Sequence, residues 1–372
     1  MNALDNRRHF LPHGPSTAAD LVSTDRDTGS PLRGRAGSVA ASAPRSFPAV
    51  GVSPLKLVLL ASALACEAYR PLMIGWEPEA FKCVADRLQL ALGSAVGLVR
   101  VEVDHTGYDF VRNLAAIGAG GTVVMSNPER LVHLQQGQDV SVTALRSTFS
   151  RLDLPVRSLD FPVNFANLAF DPGLDLLVMA TPAPLEPACS WIHPTLGCDK
   201  QIEQLAEAFG SPANVLRFEP SRSVPHPGLP AGQACYDLDA YFSLFRNRRD
   251  EPVTMIHWPC VLKEPSSAAA RKSGSVGRAK LKARLEALGV TVVEVSRDDF
   301  LRRACNAVSP EPGHLVFSEP VSPGLQDTLR RLQVSTTPLE DFLPGREYGI
   351  HCLTLELPPA VTATCEGSSA AR

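Results

Sequence analysis

The sequence predicts an α/β fold built from a recurring unit in which an amphipathic helix is followed by a strand. Apolar residues recur at helical spacing in three stretches, 202–209, 281–288 and 325–332. Two of these stretches end at a glycine and lead into apolar runs typical of strands, 214–218 and 290–295. Because each helix has one apolar stripe, each must cover a sheet face. Recurrence of the unit indicates an internally repeated fold.

Composition indicates a globular protein with a substantial core. The chain has 372 residues, of which 44% are hydrophobic and 20% charged, and its net charge is -3. This charge balance gives no sign of a nucleic-acid or anionic-membrane partner. The nine cysteines are scattered without C-x-x-C spacing, which argues against disulfides and zinc and favours a reducing compartment, the cytoplasm.

The ends of the chain are predicted to lie outside the folded domain. Residues 1–52 are rich in Ser, Pro, Ala, Gly and Arg and show no apolar periodicity, so we expect a disordered tail. Interspersed acids argue against reading that tail as a transit peptide, although a targeting signal is left open. We expect one domain over residues 53–360 and a flexible tail over residues 361–372.

The most apolar run of the chain, residues 56–66, is predicted to be a buried core element. It is about a dozen residues long where a membrane helix needs roughly 20. A strand at 98–103, a helix face at 110–117 and a strand at 122–125 follow. The glycines at 118–121 come after that helix instead of opening one, so they indicate a helix stop and turn and no cofactor. Stretches 219–230, 264–280 and 308–313 are predicted surface loops.

The stretch most suggestive of chemistry is 348–357. Gly349 leads through His351 to Cys352, and the alternating leucines that follow predict a half-buried strand. A thiol at the mouth of a strand is both held and accessible, but with a reference pKa of about 8.5 it needs a positive charge, helix terminus or base to act as a nucleophile. The other interpretation is that Cys352 is a buried apolar side chain without a chemical role.

Three segments resemble the pentein superfamily, which comprises arginine deiminases, dimethylarginine dimethylaminohydrolases and amidinotransferases. Residues 349–357 resemble its catalytic last strand, residues 304–308 the stretch that crosses the core before the final repeat, and residues 234–243 its His-Leu-Asp strand. The resemblance covers residues 155–358. It implies an α/β propeller of repeated ββαβ units around a pseudo-fivefold axis, with the active site in the central channel.

The resemblance also implies a chemistry. In this superfamily the cysteine attacks a guanidinium carbon, carboxylates hold the planar cation, and a histidine serves as acid and base. Cys352 matches the nucleophile and Asp239 the aspartate that grips the guanidinium, but Asp237 stands where the histidine is expected. Asp237 could replace it only if its pKa rose from about 3.9 toward neutrality, through burial or the like charge of Asp239. His257 is the nearest downstream histidine that could serve as the base instead.

Further candidates for substrate binding are polar residues in or near the matching segments. Glu219 stands for a second carboxylate, and Arg222 would either repel a guanidinium or bind a substrate carboxylate bidentately. The resemblance implies that Asn167 faces the channel, where it could contact substrate; the other interpretation is that it only forms a turn at a strand end. His351 adjoins the thiol in sequence. His193 and Cys198 lack a third ligand at metal spacing, so no metal is predicted. The arginine-rich run at 246–249 is interpreted as a solvated loop.

The sequence therefore indicates two alternative functions. The first is a cysteine-dependent enzyme that modifies a guanidino group of arginine or a related small molecule, as a hydrolase or an amidinotransferase, without a cofactor. The second is a catalytically impaired pentein that binds a ligand or a protein partner. Neither depends on nucleic acid or a membrane, and self-association is left open.

Overall fold

The computed structural model describes residues 58–62, 87–88, 90–92, 98–102, 111–127, 138–161, 163–181, 199–221, 223–224, 237–339 and 349–357. Residues 51–372 form one compact unit. The predicted tails at 1–52 and 361–372, and Arg222, lie outside the described residues.

Short strands dominate the described part of the chain. They are β1 Val58–Ser62, β2 Leu98–Glu102, β3 Ala115–Ile117, β4 Val123–Met125, β5 Val156–Ser158, β6 Leu168–Asp171, β7 Leu176–Ala180, β8 Asn214–Phe218, β9 Phe242–Arg246, β10 Pro252–Ile256, β11 Ser275–Val276, β12 Thr291–Glu294, β13 Val308–Glu311, β14 His314–Phe317, β15 Ser335–Pro338 and β16 Thr354–Glu356.

The helices lie between these strands. They are α1 Val111–Leu114, α2 Gln138–Arg151, α3 Asp199–Ala208, α4 Ala268–Lys272, α5 Arg278–Ala287, α6 Arg297–Leu301 and α7 Pro323–Arg331. Short 3-10 turns occupy Ala119–Gly121, Phe165–Asn167, Leu238–Ala240, Trp258–Cys260 and His351–Leu353. Residues 87–88 and 90–92 are helical as well. None of the described helices is both long enough and apolar enough to span a bilayer.

The three amphipathic helices predicted from the sequence are confirmed as α3, α5 and α7. Each buries an apolar stripe, formed in α5 by Leu281 and Leu285. The chain leaves α3 and α5 through Gly210 and Gly289, at φ +96° and +78°, which are left-handed values that glycine adopts without steric cost. The predicted strands at 214–218 and 290–295 are confirmed as β8 and β12.

Sixteen strands form five small sheets among the described residues, and all five share one internal pattern. Each contains an antiparallel pair followed by a parallel pair: β3-β4-β5, β6-β7-β8, β9-β10-β12, β13-β14-β15 and β16-β1-β2. Strand β11 adds to the edge of β8 in parallel. In the last sheet the C-terminal strand β16 pairs with the first strand β1, with Leu59 opposite Leu355.

The core consists of apolar side chains between helices and sheets. The larger cluster joins the sheets of β6–β8, β9–β12 and β13–β15, and includes Tyr241, Phe242, Phe300 and Phe317. A second cluster, which includes Phe165 and Phe209, lies under α3. These clusters hold the strand ends rigidly, and the candidate functional side chains lie on the turns at those ends.

Several predictions for short elements are wrong. The predicted helix at 110–117 ends at Leu114, and Ile117 belongs to β3, which pairs with β4 through the turn at Gly120 and Gly121. The predicted loop at 308–313 contains the buried strand β13, because its carbonyls and amides pair with β14. The predicted loop at 264–280 contains α4, β11 and the start of α5.

The arginine-rich run at 246–249 is solvated only in part. Arg248 and Arg249 are exposed, as predicted. Arg246, however, ends β9 and binds Asp171 through two hydrogen bonds, from Nε to Oδ2 at 3.1 Å and from Nη2 to Oδ1 at 2.6 Å. This bidentate pair ties β9 to the end of β6.

Candidate active site around Cys352

Cys352 lies in the 3-10 turn His351–Leu353, immediately before β16. The turn is fixed at both ends. The hydroxyl of Thr354 donates to the Ile350 carbonyl at 3.1 Å, and the Ile350 amide donates to the hydroxyl of Ser318 at 2.8 Å. The sequence-based position of the thiol at the start of a strand is therefore what the structure shows, although the residues before β16 form a turn.

Asn306 connects the cysteine to a second turn. Its Nδ2 donates to Cys352 Sγ at 3.0 Å and to the Asp239 carbonyl at 3.3 Å. Its Oδ1 accepts from the amides of His351 at 2.9 Å and Cys352 at 3.3 Å. The side chain is 2% exposed. All of its donor and acceptor directions thus serve to hold the thiol against the segment that carries Asp239.

The carboxylate of Asp239 lies beside the thiol. Its Oδ2 accepts from Cys352 Sγ at 3.4 Å and is 3.0 Å from Nδ1 of His351. Its Oδ1 is buried and has no hydrogen-bond partner in the part of the chain that the structure describes. A structural aspartate looks different: Asp299 accepts from Ser322 and Ser296 with both oxygens. A buried, half-satisfied carboxylate costs free energy, which suggests that a ligand supplies the missing donor.

The thiol is protonated at neutral pH in this arrangement. Burial raises the pKa of Cys352 well above its usual range, and the negative charges of Asp239 and Asp237 raise it further. The Asn306 donor acts in the opposite direction, because it stabilises a thiolate. Any nucleophilic role for Cys352 therefore needs a positive charge to arrive at the two aspartates.

Asp237 lies at the start of the same turn as Asp239. Its Oδ1 accepts from Nδ2 of Asn164 at 3.0 Å. Burial, followed by the charge of Asp239, raises the pKa of Asp237 to about 7. Burial and a like-charged neighbour are the two causes of a raised pKa that were expected from the sequence if Asp237 is to exchange protons near neutral pH. The two aspartates lie in and before a 3-10 turn, and not on one strand face as the sequence suggested.

His351 has a carboxylate partner. Burial lowers the pKa of its ring, the charge of Arg112 lowers it further, and the hydrogen bond to Asp239 raises it in part. The ring is therefore neutral at pH 7. A neutral imidazole has one N–H, and if Nδ1 donates it to Asp239, Nε2 is left as an acceptor that can take a proton.

Arg112 brings a positive charge to the site that the sequence analysis missed. Helix α1 packs against the Cys352 turn and against β16. Burial lowers the pKa of Arg112, while the negative charges of Glu356 and Asp239 act to raise it. No motif marks this residue, because α1 is four residues long and its position beside Cys352 comes from contacts 240 positions apart in the chain.

Two other predicted residues lie close to these turns or support them. Asn167 is buried, and its Oδ1 accepts from the Leu238 amide at 3.2 Å, so it orients the turn that carries Asp239. Glu219 is buried too, but both of its oxygens are engaged by Ser266, at 2.6 Å from the amide and 2.8 Å from the hydroxyl. Among the described contacts, Glu219 thus holds the segment before α4.

His257 belongs to the core. Its Nδ1 is 2.9 Å from the Val295 carbonyl, and its ring stacks on Phe300 with centroids 4.3 Å apart. Burial lowers its pKa. The structure brings Cys352, Asp237, Asp239 and His351 together, whereas the side-chain contacts described for His257 are with the segment around α6. No group of His, Cys, Asp and Glu suited to a metal ion occurs among the described residues.

Solved structures with a similar fold are known. The product-bound N-terminal domain of ArgZ, an arginine dihydrolase from the ornithine-ammonia cycle in cyanobacteria, superposes with a TM-score of 0.54 at 18% identity, over 81% of this chain and 97% of that one. AgrE in complex with ornithine and NAD+ gives 0.55 at 16% identity, over 82% of this chain and 40% of that one. A dimethylarginine dimethylaminohydrolase adduct gives 0.51 at 10% identity, over 82% and 100%.

These similarities identify the fold. All three proteins are pentein superfamily members, so the resemblance predicted from the sequence is confirmed at the level of the fold. No protein-family model matches the chain, and no curated protein sequence is significantly similar to it.

Proposed function

We propose that this protein is a cysteine-dependent enzyme that modifies the guanidino group of arginine or a related small molecule, with Cys352 forming a covalent amidino-thio intermediate. The observation that supports this most directly is the position of Asp239. One of its oxygens contacts both the thiol and the His351 ring, and the other is buried without a partner among the described residues. A guanidinium donates planar N–H groups, which is what such a carboxylate accepts best.

Binding of the cation would also activate the nucleophile. The charges of Asp239 and Asp237 contribute to the raised pKa of Cys352. A guanidinium against these carboxylates cancels that contribution and favours the thiolate at the moment when the electrophilic carbon is next to it. The ligand-free site therefore keeps an unreactive thiol, and the substrate adds a positive charge at the two aspartates.

The reaction can be written with the groups present. As the cation binds, Cys352 gives up its proton to solvent, and the resulting thiolate forms a C–S bond with the guanidinium carbon. The C–N bond to the departing amine breaks as that nitrogen takes a proton from Asp237, which is partly protonated near its pKa of about 7. Water then gives a proton to the Asp237 carboxylate or to Nε2 of His351, attacks the same carbon and releases Cys352. If an amine attacks instead of water, the amidino group is transferred.

The comparisons support this proposal by analogy. ArgZ is described as an arginine dihydrolase, and a third similar protein as a dimethylarginine dimethylaminohydrolase. The five sheets with one shared pattern are what a propeller of ββαβ units around a pseudo-fivefold axis requires, and we propose that arrangement.

Three free cysteines in the described part of the chain accord with our proposal of a cytoplasmic location.

A second function is favoured by two observations. Burial and the aspartates hold the thiol in its protonated form, and the chain supplies its own buried guanidinium, Arg112, whose charge acts on the same groups. An internal cation in this position opposes binding of a second one by roughly 1 to 4 kcal/mol at contact range. The alternative is therefore a ligand-binding pentein in which Cys352 does not turn over.

Paired alkylating reagents test the proposal. We expect 2-chloroacetamidine, a guanidinium-like cation, to label Cys352 at least about tenfold faster than the neutral 2-chloroacetamide, because it meets Asp239. Peptide mass spectrometry should show little labelling of the buried Cys260 and Cys305. Cys352→Ser is the control. Similar rates at several cysteines, or no preference for the cation, would contradict an activated site.

Product analysis then separates the functions. Arginine alone should yield a hydrolysis product, whereas arginine with glycine or lysine should yield a new guanidino compound if the enzyme is a transferase. Preference for chloroacetamidine without turnover of either kind would favour the ligand-binding alternative.

A further inference from the structure

Two nitrogen atoms of Arg112 have no visible partner. Nε and Nη2 are buried, and neither makes a hydrogen bond within the described part of the chain. These two atoms form one edge of the planar guanidinium, with parallel N–H groups in a fixed fork. Such an edge matches the two oxygens of a carboxylate.

Arg246 shows how the same Nε–Nη2 edge binds a carboxylate elsewhere in this protein. Its Nε and Nη2 bind the two oxygens of Asp171 at 3.1 and 2.6 Å. Other buried arginines differ from Arg112 as well: Arg278 and Arg303 lack a partner at Nε, but each uses an Nη atom, on the Val261 carbonyl and on Glu319. Among these four side chains, the unfilled two-atom edge is particular to Arg112.

The carboxylates near Arg112 do not fill this edge. Glu356 and Asp239 both act on the Arg112 charge, yet no ion pair joins either of them to Arg112 among the described contacts. Glu356 Oε1 accepts from the Ser309 amide at 2.9 Å, and Asp239 Oδ2 is shared by His351 and Cys352. A buried cationic group with unused donors is costly, so an oxyanion from outside the described residues is the expected partner.

We propose that the Nε–Nη2 edge of Arg112 is a carboxylate-binding subsite beside Cys352. With the unfilled oxygen of Asp239, it defines the ligand as a small bipolar molecule that carries a planar carboxylate and a cationic N–H donor close to each other. Amino acids and short guanidino acids have this chemistry. The subsite stands whether or not Cys352 turns over a guanidine, since it depends only on Arg112 and on access to the thiol.

Iodoacetate and iodoacetamide provide a matched pair of probes, because they differ only in the carboxylate. The rate of alkylation at Cys352 is measured with each reagent by peptide mass spectrometry, in the folded full chain and in the chain unfolded in urea. We expect the iodoacetate-to-iodoacetamide ratio to be at least about tenfold higher in the folded protein. Asp237 and Asp239 repel iodoacetate, so a higher ratio cannot come from them.

Variants locate the effect. Arg112→Gln should lower the folded ratio to the unfolded value or below it, and Arg112→Lys should lose most of the preference, because an ammonium lacks the planar fork. Arg284→Gln removes one exposed positive charge from α5 and should leave the ratio unchanged. Circular dichroism confirms that each variant is folded.

Three results would overturn the proposal. They are a wild-type ratio no higher in the folded than in the unfolded chain, full retention of the preference in Arg112→Lys, and failure of both reagents to reach Cys352 in the folded protein. The chloroacetamidine experiment is independent of these outcomes. If Cys352 reacts preferentially with iodoacetate but does not prefer chloroacetamidine over chloroacetamide, the carboxylate subsite is supported and the proposed guanidine-modifying function is contradicted.

Discussion

At the scale of single residues, Asp237 stands where the resemblance to the pentein superfamily leads us to expect a histidine. A histidine in that place would bring a base with an ordinary pKa near 6.5, whereas an aspartate starts about 2.5 units lower. Burial and the charge of Asp239 raise the pKa of Asp237 to about 7. The environment thus gives this carboxyl group the proton affinity that the residue type alone does not.

This raised pKa predicts a pH-dependent stability. The folded state binds a proton at Asp237 more tightly than the unfolded chain, whose value is 3.8, so the stabilisation is complete below about pH 4 and is lost as pH rises toward 7. Discounted for partial exposure, wild type should lose on the order of 2 kcal/mol through this group between pH 5 and pH 8. Asp237→Asn should lack that loss.

Urea unfolding at the two pH values measures the difference. Asp298→Asn, which removes an exposed carboxyl group from α6, is the control and should retain the wild-type dependence. Equal losses in wild type and Asp237→Asn would show that the carboxyl group has the same proton affinity in the folded and unfolded chain.

Residues of the candidate site differ in how far the sequence could predict them. Cys352, His351 and Asp239 lie in segments with a recognisable order of residue types, and the structure brings them together. Arg112 and Asn306 were not assigned a role at the site, since their importance lies in which atoms they meet across the fold. Asn306 meets Cys352 across 46 positions of sequence, and no local pattern encodes that contact.

At the scale of elements, the turn before β16 depends on a glycine. A Cβ atom at Gly349 would lie 2.5 Å from Oδ1 and 2.8 Å from Cγ of Asn306, closer than real atoms approach. Asn306 has no room to yield, because it is buried and its side chain makes four hydrogen bonds. We therefore expect Gly349→Ala to destabilise the protein by roughly 1 to 3 kcal/mol in urea unfolding.

A double-mutant cycle checks the cause. In an Asn306→Gly background the clashing atoms are absent, so Gly349→Ala should cost clearly less than in wild type. Gly324→Ala in α7 is the matched control, because its Cβ would meet only the Ser322 hydroxyl at 4.0 Å. A cost for Gly349→Ala that is independent of Asn306 would contradict this interpretation.

The sequence predicted helices correctly where their apolar periodicity extends over more than two helical turns. Helices α3, α5 and α7 have nine or ten residues and a buried stripe, and the sequence shows them clearly. The turns that carry Asp239, Asn167 and Cys352 have three residues each, which is less than one helical period, so they were interpreted as parts of the strands that follow. The site lies on those short turns, which explains why its geometry was harder to predict than its scaffold.

At the scale of the whole molecule, the two ends of the compact unit meet in one sheet. The sequence predicted a strand after Cys352 and an apolar core element at 56–66, but their pairing could not be read from either segment alone. In the structure β1 runs antiparallel to β16 and parallel to β2, so the last sheet takes strands from both ends of the fold. The turn with Cys352 is thereby anchored by a strand almost 300 positions earlier.

Truncation from the N-terminus tests this closure. A chain that begins at Gly51 keeps the whole compact unit and should unfold within about 1 kcal/mol of the full chain. A chain that begins at Ala63 lacks β1, so β16 loses its partner, and we expect a large loss of stability and faster alkylation of Cys352 by iodoacetamide. Thermal unfolding and labelling rates of the two truncated chains provide the measurement. If the chain from Ala63 matched the chain from Gly51 in both, the β1–β16 pairing would not be what holds the cysteine turn in place.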